Sequence, residues 1–380
     1  MAGSVGSERD ARSIQACRSI IGSVGLATLL AFASTVPLAA ADPPAAISGF
    51  TATEVEPNVW RVDADGVGEL ARPYDQTPPR AGVVAGLDGS VWLTRPRQLV
   101  ELGGERVALT AEQRPRPDNF ANAAVAQDGT IWWTARGLQA YDGESWTLVR
   151  QEPGKGHVGA VYVDPDGAVW ASWSQSGKTR LGRLEGEEWA LIGGKLPGSG
   201  DAIGLGDGVT ILSTGVGGEV RVHDGERWRV AQRPEGEVQA VAFGSDGTYW
   251  ARLGRDDGPV LGHWDGDSWT VYGSAHDIPA GGTAFGGYGA HAVAPDGSLW
   301  FAARKADAGP LEDCDGVVRF DGVMLSHYLS GNCVHDLDID PQGGVWLIAS
   351  VSGTPSGGEL LDVGPIELFH IPGGVPGSGA

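Results

Sequence analysis

The sequence predicts an all-β fold made of seven copies of one four-stranded unit, and three observations predict it. An Asp-Gly or related turn recurs every 38 to 50 residues from Asp88 onward. In six of the seven copies a Trp stands four positions after the first residue of this turn. No stretch shows a sustained helical period, and 61 Gly and 23 Pro residues would interrupt one. Repeats of about 40 residues with four strands each are typical of β-propeller blades.

Residues 124–149 show the repeated unit most clearly. Asp-Gly between alternating apolar residues is the strongest short hairpin signal, because the tight turn needs φ > 0, where Gly has no steric cost. We therefore predict two consecutive hairpins in this unit, with strands at residues 125–127 and 130–134 and then at 138–141 and 145–149.

The same two turns can be followed along the chain. The first turn of each copy falls at Asp88-Gly89, Asp128-Gly129, Asp166-Gly167, Asp207-Gly208, Asp246-Gly247, Asp296-Gly297 and Gln342-Gly343. The second falls at Gly103-Gly104, Asp142-Gly143, Glu185-Gly186, Asp224-Gly225, Asp265-Gly266, Asp321-Gly322 and Val363-Gly364. Seven pairs of hairpins predict a seven-bladed propeller of four-stranded antiparallel blades over residues 81–370.

We call a Trp in phase when it stands four positions after the first residue of one of these turns. The in-phase Trp residues are predicted to pack between blades. Truncating Trp170, which is in phase, should cost about 3 to 5 kcal/mol. The same change at Trp173, which is out of phase, should cost clearly less.

Residues 1–41 have the organisation of a secretory signal peptide. Arg9, Arg12 and Arg18 precede an apolar run at 20–33, and small residues end the segment at 39–41. The run is shorter than the roughly 20 residues of a membrane-spanning helix. We expect cleavage before Asp42 and a secreted, periplasmic or cell-envelope protein with no membrane span; an uncleaved anchor is the alternative.

Two segments flank the repeats. Residues 42–80 are expected to form a lead-in with an outer strand that closes the ring; if residues 47–80 instead form a unit of their own, the propeller has eight blades. Residues 371–380 form a Gly/Pro-rich tail.

Cysteine usage agrees with export. Cys17 would leave with the signal peptide, so Cys314 and Cys333 remain in the mature chain. An even count in an oxidising compartment favours a disulfide between them; two unrelated buried thiols are the alternative.

The chain is strongly acidic, with a formal net charge of −21. The first 41 residues carry three Arg against Glu8 and Asp10, so the mature chain stands at −22. Such a surface repels phosphate backbones and anionic lipid, which argues against nucleic-acid partners and against electrostatic binding to membranes. We expect a monomer whose partner is a small molecule, a glycan or a protein.

Two family resemblances rest on these motifs. D-G-x-[VIL]-W followed by Gly-x-x-x-[YF]-D-G resembles the propeller repeats of two-component-regulator periplasmic domains, which implies a sensor-like module. VAPDGSLWFAAR at 293–304 is similar to the streptogramin lyase (virginiamycin B lyase) repeat. The lyase resemblance implies metal-assisted ring opening by His and Glu residues. His291 matches the position of that family's His, but Ala303 and Ala135 stand where the Glu would follow the repeat's aromatic pair.

Two histidines depart from the repeat on predicted innermost strands. His291 lies five residues before its turn, where the other copies are apolar, and His335 lies seven before its own. These positions share strand parity, so both side chains are predicted on one face of neighbouring blades. They are the candidate catalytic pair; the alternative is a His bonded to a backbone carbonyl in a packed ring.

The late loops predict a binding region on the face opposite the Asp-Gly turns. Loops at 273–289, 304–315 and 327–336 are extended, and long loops on a rigid scaffold commonly bind ligands. Cys314 and Cys333 map to the same face. The candidate ligand-binding residues are His276, Asp277, Arg304, Glu312, Asp313, His335 and Asp336.

An acidic group in this region could bind a divalent metal, Ca²⁺ or Mg²⁺, although its spacing lacks the Gly and final Glu of a calcium loop. Its members are Glu312, Asp313, Asp315, Asp336, Asp338 and Asp340.

The sequence therefore predicts an exported ligand-binding or sensor-like propeller. A streptogramin-lyase-like, metal-dependent lyase is the alternative. A third interpretation is a wall-binding propeller in which Trp173 and Trp264 stack on sugars.

Overall fold

The computed structural model describes residues 50–63, 82–95, 98–104, 106–110, 123–134, 137–149, 157–164, 166–197, 200–206, 209–214, 219–223, 226–231, 236–255, 260–273, 290–304, 314–351 and 366–373. These residues form 29 β-strands and no helix. The strands make six four-stranded sheets and one five-stranded sheet, and every pairing is antiparallel. The predicted all-β propeller is confirmed.

The first two strands form a hairpin, β1 (Thr51–Glu56) and β2 (Val59–Asp63). Six blades follow, each of four consecutive strands. Blade 1 is β3 (Gly82–Ala85), β4 (Val91–Arg95), β5 (Gln98–Glu101) and β6 (Arg106–Ala108); blade 2 is β7 (Ala123–Val125), β8 (Ile131–Thr134), β9 (Leu138–Tyr141) and β10 (Trp146–Leu148); blade 3 is β11 (His157–Val163), β12 (Val169–Gln175), β13 (Lys178–Glu185) and β14 (Glu188–Pro197). Blade 4 is β15 (Gly200–Gly206), β16 (Val209–Thr214), β17 (Glu219–His223) and β18 (Trp228–Val230); blade 5 is β19 (Glu237–Phe243), β20 (Tyr249–Gly254), β21 (Val260–Trp264) and β22 (Trp269–Tyr272); blade 6 is β23 (His291–Val293), β24 (Leu299–Arg304), β25 (Cys314–Phe320) and β26 (Leu325–Tyr328).

Blade 7 combines both ends of the described chain. Its first three strands are β27 (Asn332–Ile339), β28 (Val345–Val351) and β29 (Ile366–Ile371). Strand β2 pairs with β29 as the fourth strand, and β1 adds a fifth outside it. Residues 51–63 therefore complete the seventh sheet, which argues against a separate eighth blade. The predicted second hairpin of the seventh copy is also wrong, because residues 366–371 form the third strand and the fourth comes from the other end of the chain.

The first strand of each blade contacts the first strand of the next, and β27 contacts β3, so these strands close a ring. Seven clusters of buried apolar side chains fill the seven seams between neighbouring blades. In the seam between blades 5 and 6, for example, Trp250 packs with Phe301 and Phe320. The apolar faces of neighbouring blades thus supply the core of the molecule.

The out-of-phase Trp173 contradicts the prediction made for it. It is buried in the seam between blades 2 and 3 and packs edge-on against Trp189, with 4.6 Å between ring centroids. Each blade lies between two others, so both of its faces are covered and both strand parities are core. Trp170, which is in phase, is only partly buried.

Most turn acids have a local structural task. Asp128 accepts the Thr130 amide at 3.0 Å, and Gly129 has φ 83°, the left-handed conformation that favours Gly. In the second turn Asp142 accepts the Glu144 and Ser145 amides, and these bonds lower the pKa of its carboxyl. The repeated Asp-Gly pairs therefore encode turns.

Candidate functional site

The two ends of each blade differ in what they carry. In a sheet of four consecutive antiparallel strands, the turns after the first and third strands lie at one end, and the link after the second strand lies at the other. We call these ends the turn face and the loop face. The loop face also carries the connections between blades. The predicted binding region lies on this face.

The predicted disulfide is present on the loop-face side of blades 6 and 7. Cys314 begins β25 and Cys333 is the second residue of β27, and their Cα atoms are 4.9 Å apart. The bridge therefore ties the third strand of blade 6 to the first strand of blade 7. The predicted long loop at 327–336 is wrong: β26 ends at Tyr328 and β27 begins at Asn332, which leaves a three-residue connection.

This short connection is held from three sides. Leu329 has φ 56°, and its amide donates to Glu56 Oε2 at 2.9 Å, so the N-terminal hairpin reaches it. The Leu329 carbonyl accepts both the backbone amide and the side-chain amide of Asn332. Gly316, with φ 73°, lies directly against the same carbonyl, where a Cβ would clash. The connection is thus a fixed part of the loop face.

Asp315 directly follows Cys314 in β25, and His327 lies on the neighbouring strand β26. The His327 Nδ1 atom is 3.9 Å from Asp315 Oδ2, and the two side chains are 39% and 32% exposed. Asp315 was predicted only as one of an acidic group, and His327 was not predicted. The sequence signal for them was weak: His327 lies within a strand, and Asp315 lies where the pairing of β24 and β25 shifts, which the local pattern does not reveal.

His291 lies in the seam between blades 5 and 6. Its Nε2 atom is 3.1 Å from the Val241 carbonyl oxygen of β19. A carbonyl oxygen can only accept, so Nε2 carries the proton. This geometry matches the structural alternative for His291, a ring nitrogen bonded to the backbone of the neighbouring blade.

His335 lies at a β-bulge. The β27–β28 pairing shifts between Val334 and Asp336, so His335 is the extra residue and the alternation of faces breaks there. Similar shifts interrupt the first strands β11, β15 and β19. The shared parity predicted for His291 and His335 is therefore wrong. His335 Nε2 is 2.7 Å from the hydroxyl of Ser350, a side chain buried in blade 7.

Asp336 and Asp338 bind the backbone of blade 1. Asp336 Oδ2 accepts the Val83 amide at 3.0 Å, and Asp338 Oδ2 accepts the Ala85 amide at 2.9 Å. Burial, reinforced by the Asp338 charge and opposed by the Val83 amide, raises the pKa of Asp336 to about 7. Burial also raises the pKa of Asp338 to about 6. Both acids thus serve the joint between the last and first blades.

Asp340, an acid of the predicted group that directly follows β27, organises a turn. Its Oδ1 accepts the Gly344 amide at 2.7 Å, and its Oδ2 accepts the Trp346 indole at 3.2 Å. The described residues contain no group of three or more His, Cys, Asp or Glu side chains arranged to hold a metal ion.

Several predicted residues cannot be placed. His276, Asp277, Glu312 and Asp313 lie outside the described residues. Arg304 is the last residue of β24, and its backbone pairs with Cys314 beside the disulfide.

The sugar-stacking interpretation loses one of its two rings, and the other is partly buried. Trp173 is buried, and the Trp264 ring lies 5.8 Å from Trp269 and 6.2 Å from Tyr249, centroid to centroid, within the aromatic cluster of blade 5.

Fold and site together define the class: a seven-bladed β-propeller whose later blades carry a disulfide-bridged loop face. Solved structures with the same fold include virginiamycin B lyase from Staphylococcus aureus (TM-score 0.54, 13% identity, 82% of this chain and 98% of that one). A streptogramin B lyase is similar at TM-score 0.52 and 16% identity, over 79% of this chain and 94% of that one. The RRP9 WD40 repeats match at TM-score 0.51 and 13% identity, over 79% of this chain and 96% of that one. At these identities the likeness is one of fold.

No protein-family model and no curated protein matches the chain. The resemblance to two-component-regulator propellers therefore stays a prediction. Among the described residues, no helix is long and apolar enough to cross a membrane.

Proposed function

We propose that the protein is an exported binding module that engages its ligand with the loop face of blades 6 and 7. The observation that carries the proposal is the Cys314–Cys333 disulfide. It fixes the ends of two chain segments at the loop face and leaves a rigid, partly charged surface beside it. Rigid presentation lowers the conformational entropy lost on binding.

The acidic side chains of the two faces have different hydrogen-bond partners, which supports this assignment. Turn-face acids such as Asp128, Asp142 and Asp265 are occupied by amides of their own turns. On the loop face, Asp315 and His327 lie near each other with partly exposed side chains. This pair could bind a polar or charged group of a small molecule, a glycan or a protein.

The test is a binding screen of the full exported chain against arrays of cell-wall glycans and peptides. For any probe that binds, Asp315→Ala and His327→Ala should weaken binding about tenfold each, as expected when a hydrogen bond to a charged group is lost. Glu144→Ala and Asp267→Ala, which change exposed turn-face residues, serve as matched controls. Equal weakening by both sets of variants would contradict the loop-face assignment.

A second candidate is a lyase, favoured by the fold likeness to two streptogramin lyases. An inactive variant of the S. aureus enzyme was solved with quinupristin, which supplies a probe. Incubation of quinupristin with this protein and Mg²⁺, followed by chromatography, would detect a ring-opened product. Product formation that is lost in His291→Ala would support the lyase; an unchanged substrate would leave the binding module as the function. The hydrogen bond from His291 to Val241 favours the second result.

A further inference from the structure

The seam between blades 7 and 1 differs from the other six in its polar content. Four residues before the first turn, the other copies carry Val84, Ala124, Tyr162, Ile203, Ala242 and Ala292, and blade 7 carries Asp338. Two residues earlier on the same strand stands Asp336. Both carboxylates cross the seam to backbone amides of β3.

Blade 1 is shaped to receive these carboxylates. A Cβ at Gly82 would lie 2.6 Å from Asp336 Oδ2 and 2.7 Å from the Thr94 hydroxyl, so a side chain there would displace the carboxylate. Farther out, the same seam is apolar and includes Val83, Leu93, Trp346 and Leu368. The carboxylates therefore lie at the inner edge of an apolar interface. Asp336 and Asp338 are both partly exposed, so protons from solvent can reach them.

Few other charges face this pair. Strands β3 and β28 contribute no titratable group, and the remaining elements packed against β27 are β23, β24 and β25. The titratable and charged residues of these strands, of β27 and of the turn after it are His291, Arg304, Asp315, Arg319, His335 and Asp340. The Asp340 charge acts in the same direction as burial and raises the pKa of Asp338. Arg319 is bound to Asp296 at 2.8 Å and Asp321 at 3.5 Å, and His291 to Val241.

We propose that the joint between the last and first blades is strengthened by acid: a proton bound by the Asp336–Asp338 pair removes the cost of holding a desolvated negative charge in the seam and relieves the repulsion between the two carboxylates. The amide bonds from Val83 and Ala85 persist, because a protonated carboxyl still accepts through its carbonyl oxygen. A rise in pH toward 8 leaves both groups charged and loosens the ring at this seam.

The direction in which stability changes with pH follows from proton binding. Desolvation holds the pKa values of Asp336 and Asp338 at about 7 and about 6, above the ordinary value of 3.8. The folded state therefore binds more protons than the unfolded chain between pH 4 and 7, and stability falls as pH rises through that window. Turn acids with lowered pKa values, such as Asp142 and Asp265, titrate below this range.

The experiment measures the melting temperature of the full chain from pH 5 to 8.5. The wild-type value should fall by about 5 °C across this range. In Asp336→Asn/Asp338→Asn, which keeps the acceptor oxygens without the charge, most of this fall should disappear. Asp128→Asn, the same change at an exposed turn, is the control and should keep the wild-type slope. A double variant with the wild-type slope would overturn the proposal.

Hydrogen exchange gives a local readout. After correction for intrinsic rates, protection of a peptide covering 82–95 should fall with pH more than that of a peptide covering 131–141 in blade 2. An equal change in both would show that the joint is not special. Should the double variant not fold, the single variants and the infrared carboxyl band apply. A protonated-carboxyl band that is present at pH 5, reduced near pH 7, lost by about pH 8.5 and weakened in each single variant supports the proposal, and its absence overturns it.

Discussion

One tryptophan that breaks the repeat's phase, Trp173, is more buried than its in-phase neighbour Trp170. Trp173 is 7% exposed, as is Trp92, and it contacts Gly182, where a Cβ would come within 3.0 Å of the indole. Trp170 instead lies partly exposed, with its indole bonded to Asp164 at 3.2 Å and the Arg183 guanidinium 5.8 Å above its ring. Burial in a propeller therefore depends on which seam a side chain enters.

The order of stability losses expected from burial is the reverse of the order predicted from the repeat's phase. Trp173→Ala should lower the free energy of unfolding by about 3 to 5 kcal/mol, because it leaves a cavity in a seam. Trp170→Ala should cost clearly less, since part of its ring already faces solvent. Urea denaturation of both variants checks this order, and a larger loss for Trp170→Ala would contradict the packing described for blade 3.

At the scale of elements, strand β2 joins two cores. Val59 packs in the seam between blades 6 and 7, and Val62 packs in the seam between blades 7 and 1. Arg61 adds an ion pair to Glu367, 306 residues away, at 3.5 Å. The N-terminal hairpin therefore closes the ring with apolar contacts on both sides of blade 7.

Loss of apolar contact in β2 should therefore weaken the whole ring. Val62→Ala removes two methyl groups from a buried site and should cost about 2 kcal/mol of unfolding free energy. Val55→Ala in β1, where the side chain is 40% exposed, is the matched control and should change stability by less than about 0.5 kcal/mol. Chemical denaturation measures both, and equal effects would argue against β2 as a closing strand.

At the scale of the whole molecule, three independent links hold blade 7 in the ring. Strand β2 completes it, the disulfide ties it to blade 6, and two aspartates bind it to blade 1. Only one link is covalent, and it spans 19 residues of sequence. Blade 7 is thus tied to both of its neighbours by links other than apolar packing.

The covalent link can be tested alone. Cys314→Ala/Cys333→Ala should lower the free energy of unfolding by about 3 kcal/mol, because the unfolded chain regains the entropy of a closed loop of this size. Reductant should produce a similar loss in the wild type and no further loss in the double variant. Mass spectrometry showing two free thiols in the exported protein would contradict the bridge itself.

By itself, the sequence determined the blades, because turn chemistry and strand patterning are local. Asp-Gly pairs and alternating apolar residues located both hairpins of blade 2, and the even cysteine count after the predicted signal peptide predicted the bridge. The tertiary structure alone decided the fourth strand of blade 7, the burial of Trp173, and the tasks of His291, Asp336 and Asp338. These depend on which backbone lies across a seam, and a pairing between residues about 300 apart leaves no trace in local spacing.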